Sequence, residues 1–480
     1  MLSIVAGALM SNIFIGSTPD EQREMLEFLG FPDLEALYGA VVPPGHMSAV
    51  NSESLGNGIT EDELKALMGE IAGRNSAFNR SCFAGAGFYQ RTIPEAVFGI
   101  TSSGDWGTPY TPYQPEIAQG ILTTLFDFQS YIAALTGMAV VNAGLYNGPN
   151  AMAEAALMAL RITKRSKVLV SDSVSPVAMR NLQTYLAPKR GLELVVVPTE
   201  ETGGVTSSET IERLVDDRTA AVIVQNPNFW GRIDGMDGQA AAAHSKNALY
   251  VVYGGGDQVS LAMLGAPAEY GADIYAGEGQ HFGIPVAFGG PHVGILAIAR
   301  DDRQFLNQLP GRLVGECKDA DGNRRFMLVL QPREQHIRRE NATSNTCTAE
   351  TLISVMCTAY LAIMGRGGLR QAAEKSYRIA NHLADNIQNL AGFRILYPDS
   401  PYFNEFAVAT PVPAAGIVDE LARDGLLAGV PVARTFPYAF AGRGMENVLL
   451  VSATEANDAR NSKGRFMPDK LLDGLSRYAR

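Results

Sequence analysis

The chain has 480 residues, 46% of them hydrophobic and 19% charged, a globular balance that excludes a disordered or collagen-like protein. That length suits one large α/β domain with a smaller one beside it. The formal charge of −11, from 39 basic and 50 acidic side chains, argues against a nucleic-acid partner, which selects a basic face.

Residues 1–15 form an uncharged, mostly apolar run that is too short to span a bilayer and lacks a basic leader region. They are expected to be an upstream extension or packing arm. Thr18-Pro19-Asp20-Glu21 reads as a helix start, with a cap, a first-turn proline and acids at the positive end. Thr60 to Glu63 has the spacing of a capping box. Residues 1–80 are therefore expected to form an N-terminal helical arm. Residues 80–150, rich in Gly, Pro, Tyr and Thr, read as a long irregular segment of the functional or interface-forming kind.

From there, short apolar runs alternate with helix-length segments: Val168–Val170, Leu194–Val197, Ala221–Val224, Leu249–Val252, Ala272–Tyr275 and Val293–Ile298. Such β-branched runs predict a sheet buried on both faces and largely parallel. Asp172, Gln225-Asn226-Pro227 and Gly277-Glu278-Gly279 follow the strand ends, where open α/β sheets hold their ligands. A helix is expected from Glu350 to Met364, stopped by Gly365. Phe393–Leu396, Phe406–Ala409, Val430–Ala433 and Val448–Val451 then suggest a small second sheet. The expected division is 1–80, 81–349 and 350–480, an α/β protein with a mostly parallel central sheet and a small C-terminal α/β domain. No later stretch reaches about 18 apolar residues without charge, so no membrane span is expected. Cys82, Cys317, Cys347 and Cys357 lie far apart without CxxC spacing, as in reduced cytoplasmic proteins, and support neither a disulfide framework nor a zinc site.

Four segments could carry chemistry. Tyr110-Thr111-Pro112-Tyr113-Gln114-Pro115-Glu116 is dense in hydroxyls and fixed turns, and on composition alone a structural loop reads as well as a functional one. Tyr146-Asn147-Gly148-Pro149-Asn150 opens a helix whose backbone N–H groups suit a phosphate. Gly277 to Gly283 and Gly289-Gly290-Pro291-His292 lie between two strands, and the spacing of His281 and His292 is not that of metal ligands. The stretch Arg333 to Thr348 is the densest polar run. Its arginines can fork onto carboxylate or phosphate, and its Thr343-Ser344-Asn345 run could cap the next helix. A salt-bridged interface loop is the alternative.

Phe83-Ala84-Gly85-Ala86-Gly87, the Tyr110–Glu116 loop, Gly277-Glu278-Gly279-Gln280, Phe288-Gly289-Gly290-Pro291, Leu309-Pro310-Gly311-Arg312 and Arg333-Glu334-Gln335-His336-Ile337-Arg338-Arg339-Glu340 with Ala342-Thr343-Ser344-Asn345 occur in this order. Together they resemble the P-protein of the glycine cleavage system, in the form of the N-terminal subunit of its two-subunit enzyme. The resemblance runs from about Thr18 to the C-terminus. It implies a fold-type-I pyridoxal-phosphate (PLP) transferase architecture. It also implies decarboxylation of glycine with transfer of an aminomethyl group to the lipoyl arm of H-protein, in company with a second subunit. PLP in such enzymes is the electron sink, which the protein positions and tunes.

The strand-end loop where fold-type-I enzymes place their Schiff-base lysine reads Glu278-Gly279-Gln280-His281 here, and Gln280 cannot form a Schiff base. The resemblance therefore implies that PLP sits on the partner subunit. It points to Tyr110, Tyr113 and Glu116 near the shared site, and to His336, Arg338, Thr343, Ser344 and Asn345 as the groups that reach the cofactor phosphate or the glycine carboxylate. Three stretches depart from the family's pattern. Gln90-Arg91-Thr92 stands where an Asp-His-Tyr-like stretch is usual, Tyr253-Gly254-Gly255-Gly256-Asp257 is unusually rich in glycine, and Ser102-Ser103-Gly104-Asp105-Trp106-Gly107 is atypical. A homologue that has become a binding or regulatory subunit is the second reading.

Overall fold

The computed structural model describes residues 16–43, 45–46, 58–74, 81–236, 238–348, 350–460, 464 and 466–479. The expected packing arm at residues 1–15 lies outside them. The chain divides into two compact units, residues 1–75 and 76–480. The first contains helices α1 (Pro19–Leu29), α2 (Leu34–Val41) and α3 (Glu61–Gly73). The expected cap at Thr18 and the expected capping box at Thr60 form, and Thr18 makes a full box as well: Thr18 N–H donates to Glu21 at 2.7 Å and Thr60 N–H to Glu63 at 2.7 Å, with each threonine hydroxyl accepting in return.

In the second unit, α4 (Glu95–Thr101) and α5 (Gln119–Thr136) precede a seven-stranded sheet. Its strands are β1 (Val140–Val141), β2 (Lys167–Ser171), β3 (Glu193–Val197), β4 (Thr219–Gln225), β5 (Leu249–Gly254), β6 (Ile274–Glu278) and β7 (Gly294–Ile298), in the order β1-β7-β6-β5-β4-β2-β3. The five strands β2 to β6 pair in parallel, in register from Val168↔Leu194 through Val251↔Ile274, while β7 pairs antiparallel with both β6 and β1. Every residue of β2 and β4 to β7 is buried. Edge strand β3 is partly exposed despite its apolar sequence. Helices α6 (Gly148–Thr163), α7 (Pro176–Leu186), α8 (Ser208–Leu214) and α9 (Gln239–His244) connect these strands.

A hairpin of β8 (Leu313–Lys318) and β9 (Arg324–Val329) was not expected. In β8 the second half alternates half-buried and exposed, so the strand lacks the continuous apolar run that marks the central sheet. Helix α10 (Thr351–Ile387) corrects another expectation, for Gly365 kinks it with φ 55° and ψ −176° and does not end it. Before the kink, Ile353, Cys357 and Tyr360 join the core of the large sheet. Beyond it, Ile379, Leu383 and Ile387 join the core of the small one. By length and composition α10 could cross a membrane; its buried face is spent on these two cores. The small sheet holds β10 (Arg394–Ile395), β11 (Glu405–Ala409), β12 (Val430–Pro431) and β13 (Val448–Ser452), in the antiparallel order β10-β11-β13-β12. Val432 and Ala433, expected to extend β12, begin a helical turn. Phe83 is bound to this small sheet from far upstream: its N–H donates to Leu427 and its carbonyl accepts from Ser452.

Candidate functional site

The carboxyl ends of β5 and β6, the start of α6 and the loop 85–91 meet in one buried polar cluster. Gln280, 2% exposed, spends its whole amide on neighbouring backbone. Its Oε1 accepts from Tyr89 N–H at 3.1 Å, and its Nε2 donates to the carbonyls of Tyr89 at 3.2 Å and Ile284 at 2.7 Å. Beside it, the Glu278 carboxylate accepts from Gly148 N–H at 2.9 Å and Gln280 N–H at 3.0 Å. The ring of His281 accepts from Gln258 N–H at 3.1 Å and donates to Gly87 carbonyl at 2.9 Å; burial pulls it down to about 4, so it is neutral.

Arg91, the last residue of the loop, forms ion pairs with both Asp257 and Glu455, and Asn404 Nδ2 donates to Asp257 at 2.7 Å. Two of the three sequence departures are thus the two ends of one ion pair. The glycines before Asp257 are demanded by packing: a Cβ on Gly254 would stand 2.1 Å from the Tyr275 hydroxyl, and one on Gly255 2.2 Å from the Tyr253 ring. Tyr89 closes the cluster by donating its hydroxyl to Glu405 at 2.7 Å, while Ala86 N–H donates to the same carboxylate at 2.6 Å.

Burial pushes Glu278 up to about 7, against the backbone N–H groups that favour its charged form. A carboxyl raised from 4.5 keeps its proton in the fold after the unfolded chain has released it. Its contribution is therefore present below pH 4.5 and is lost as pH rises through about 7. Glu278→Gln, which cannot titrate, should gain on the wild type by about 3 kcal/mol across that window. Urea unfolding at a series of pH values checks this, and a pH-independent difference would remove Glu278 from the account.

A resident PLP would need a lysine amine, an anion seat at a helix start and a carboxylate free to face the ring nitrogen. The residues present do not fit it. Gln280 is an amide tied on both sides, the Gly148 N–H is taken by Glu278, and Asp257 is neutralised by Arg91.

A second cluster gathers several of the expected site residues. Arg312 is 4% exposed and donates to the Tyr113 hydroxyl at 2.9 Å and to Cys347 carbonyl at 2.7 Å. Its guanidinium lies 4.8 Å from the centre of the Tyr113 ring and 3.0 Å from the Glu334 carboxylate. His336 faces the same pair, 3.7 Å from Glu334 and with its ring 5.7 Å from that of Tyr113. Tyr113 and His336 thus share one site, organised by Arg312 and Glu334, which sequence reasoning had not singled out as a pair. Leu309-Pro310-Gly311-Arg312 was the available signal.

Tyr110, 78% exposed, and Glu116 project from the same loop toward solvent. Arg338 and Thr343 line a cavity of about 510 Å3 with Arg161 and Arg333. Asn345 is exposed. Thr343-Ser344-Asn345 does not cap the next helix, as α10 begins at Thr351 with Glu350 before it and no side-chain cap. Ser344 instead donates to the buried Glu154 of α6 at 2.7 Å, which pins the segment to the large domain.

The seven-stranded sheet with its small C-terminal sheet is the fold-type-I architecture of PLP-dependent transferases. It is shared with a sphingosine-1-phosphate lyase from Burkholderia pseudomallei, 15% identical at a TM-score of 0.61, covering 92% of this chain and 95% of that one. Residues 12–423 match the family model of the glycine cleavage system P-protein, and the chain belongs to that family. It is 41% identical over 92% of its length to a probable glycine dehydrogenase (decarboxylating) subunit 1 of Moorella thermoacetica, covering 95% of that protein. It is 39% identical over 97% of its length to the protein of that description in Rhodospirillum centenum, covering 100% of it. The crystal structure of a glycine decarboxylase P-protein in inhibitor-bound form superposes with a TM-score of 0.83 at 37% identity, covering 96% of this chain and 99% of that one.

Proposed function

We propose that this chain works as the first subunit of glycine dehydrogenase (decarboxylating) and that PLP resides in the second subunit. What supports this is Gln280, which stands at the strand-end position where the resemblance puts the cofactor lysine. A buried amide held on both sides by backbone has no amine to offer an aldehyde. The complex decarboxylates glycine and passes the aminomethyl group to the lipoyl arm of H-protein. This chain completes the shared site from its own surface, with the Tyr110, Tyr113 and Glu116 loop beside the His336, Arg338, Thr343, Ser344 and Asn345 block. The cationic end of that block suits the cofactor phosphate or the glycine carboxylate. The three-part division at 80/81 and 349/350 and a cytoplasmic setting belong to the same reading. So does the lack of nucleic-acid or membrane partners. The free state of all four cysteines and the acidic net charge support it.

The test is Tyr113→Phe in the reconstituted two-subunit complex. The ring stays over Arg312 and only the hydroxyl that accepts from it is lost. Turnover should fall about tenfold, the equivalent of one lost charge-assisted hydrogen bond, with assembly on a sizing column unchanged. Wild-type turnover would leave this loop a structural one.

A further inference from the structure

Loss of a lysine alone would leave a pocket that a phosphate ester could still enter. Here the pocket is also closed by charges of the chain itself. We propose that Glu278 and Arg91 are built-in replacements for the charges of a cofactor: the Glu278 carboxylate takes the phosphate's seat at the start of α6, and the Arg91 guanidinium takes the place of a protonated ring nitrogen against Asp257. This rests on the reading that PLP resides in the partner and goes further, since it means that a lysine restored at position 280 does not restore the site.

The first turn of α6 shows how complete the replacement is. The Gly148 N–H donates to Glu278 at 2.9 Å, Pro149 has no N–H, and the Asn150 N–H donates to its own cap, Asn147, at 2.9 Å. No donor of that turn is left for a free anion. The two partners also touch: a Cβ on Gly148 would lie 2.9 Å from Glu278 Cβ, so no phosphate fits between them. A carboxylate tethered this close competes as an intramolecular ligand against any dissolved phosphate. At the other end of the pocket the Arg91 and Asp257 side chains are 2% and 0% exposed. Asp257 cannot turn to another cation without leaving the buried Arg91 with Glu455 as the remaining one of its two carboxylate partners. Gln280, holding Tyr89 by both its N–H and its carbonyl, draws the loop 87–89 over the space between.

The full-length chain, purified without its partner, tests this in two measurements at alkaline pH. Inorganic phosphate titrated calorimetrically into the wild type should show no saturable binding. Glu278→Ser should bind one phosphate per chain, and Glu278→Ala serves the same purpose if the serine variant does not fold. In the second measurement PLP is added to Gln280→Lys and to Glu278→Ser/Gln280→Lys. The lysine amine condenses with the aldehyde, water leaves, and borohydride reduces the C=N bond to a stable amine. Peptide masses should show an adduct at position 280 at least tenfold more abundant in the double variant. Equal labelling of the single and double variants would overturn the inference, as would a folded Glu278 variant that takes up no phosphate. A stoichiometric adduct on a native lysine of the wild type would instead overturn the reading that PLP resides in the partner.

Discussion

Replacing Arg91 with methionine will destabilise the chain by about 3–5 kcal/mol, the cost of stranding buried charge. Burial works against the guanidinium, but Asp257 and Glu455 together raise its pKa above the ordinary arginine range, so it stays charged. Its side chain is 2% exposed, and those of its partners are 0% and 10%. Methionine keeps most of the apolar stem, so the loss reports charge and not an emptied cavity. Asp257 would retain Asn404 and Val259 N–H as donors, and Glu455 would retain Thr92 N–H at 2.9 Å, yet neither carboxylate would have a cation. Pairing Arg91→Met with Asp257→Asn removes one stranded charge and should return part of the loss, as a coupling energy in a double-mutant cycle. Urea unfolding of the four chains measures it. A single variant within about 0.5 kcal/mol of the wild type would show that the pair is not what holds loop 85–91 down.

Such a pair is not legible in a single sequence. Arg91 and Asp257 each stood out as a departure, but they lie 166 positions apart and no local spacing links them. The same holds for Glu278 and Gly148, 130 positions apart. The turn at Tyr146–Asn150 reads locally as an anion seat, and only the fold shows that the chain fills it. The central strands were legible because burial on both faces forces an unbroken apolar run, as in Ala221–Val224. The hairpin β8–β9 carries no such run, and Gly365 stops a helix only when the segment beyond it lacks an apolar face of its own. Gln280 was legible as a residue type at one position, but its hold on Tyr89 and Ile284 was not. Tyr113 and His336 could be named singly; what organises them is the pair Arg312 and Glu334, Arg312 reaching Tyr113 and Glu334 from a different segment and Glu334 facing His336.

The steepest single loss is expected at Gly231. It lies in the turn after β4, at φ +77°, where only glycine is unstrained. A Cβ there would stand 1.9 Å from the Glu405 carbonyl oxygen and 2.4 Å from its carbon. These are backbone atoms of β11, so no rotamer relieves the clash, and the small sheet must move. Glu405 is also the residue whose carboxylate holds Ala86 N–H and the Tyr89 hydroxyl, so the displacement reaches the lid of the buried cluster. Gly231→Ala should therefore cost about 4 kcal/mol or more, the range reserved for backbone strain and core disruption. Gly235, four residues on, has nothing within 4 Å of a built Cβ, so Gly235→Ala is the matched control and should stay within about 0.5 kcal/mol. Thermal unfolding of both variants decides it. Tyr113→Phe removes one hydrogen bond to Arg312 and should lower the midpoint only slightly, whereas Gly231→Ala should lower the midpoint strongly and loosen loop 85–91, seen as faster amide exchange at Ala86 and Tyr89. Equal midpoints for the two glycine variants would mean that β11 does not press on this turn in solution, and the coupling between the small sheet and the buried cluster would go with it.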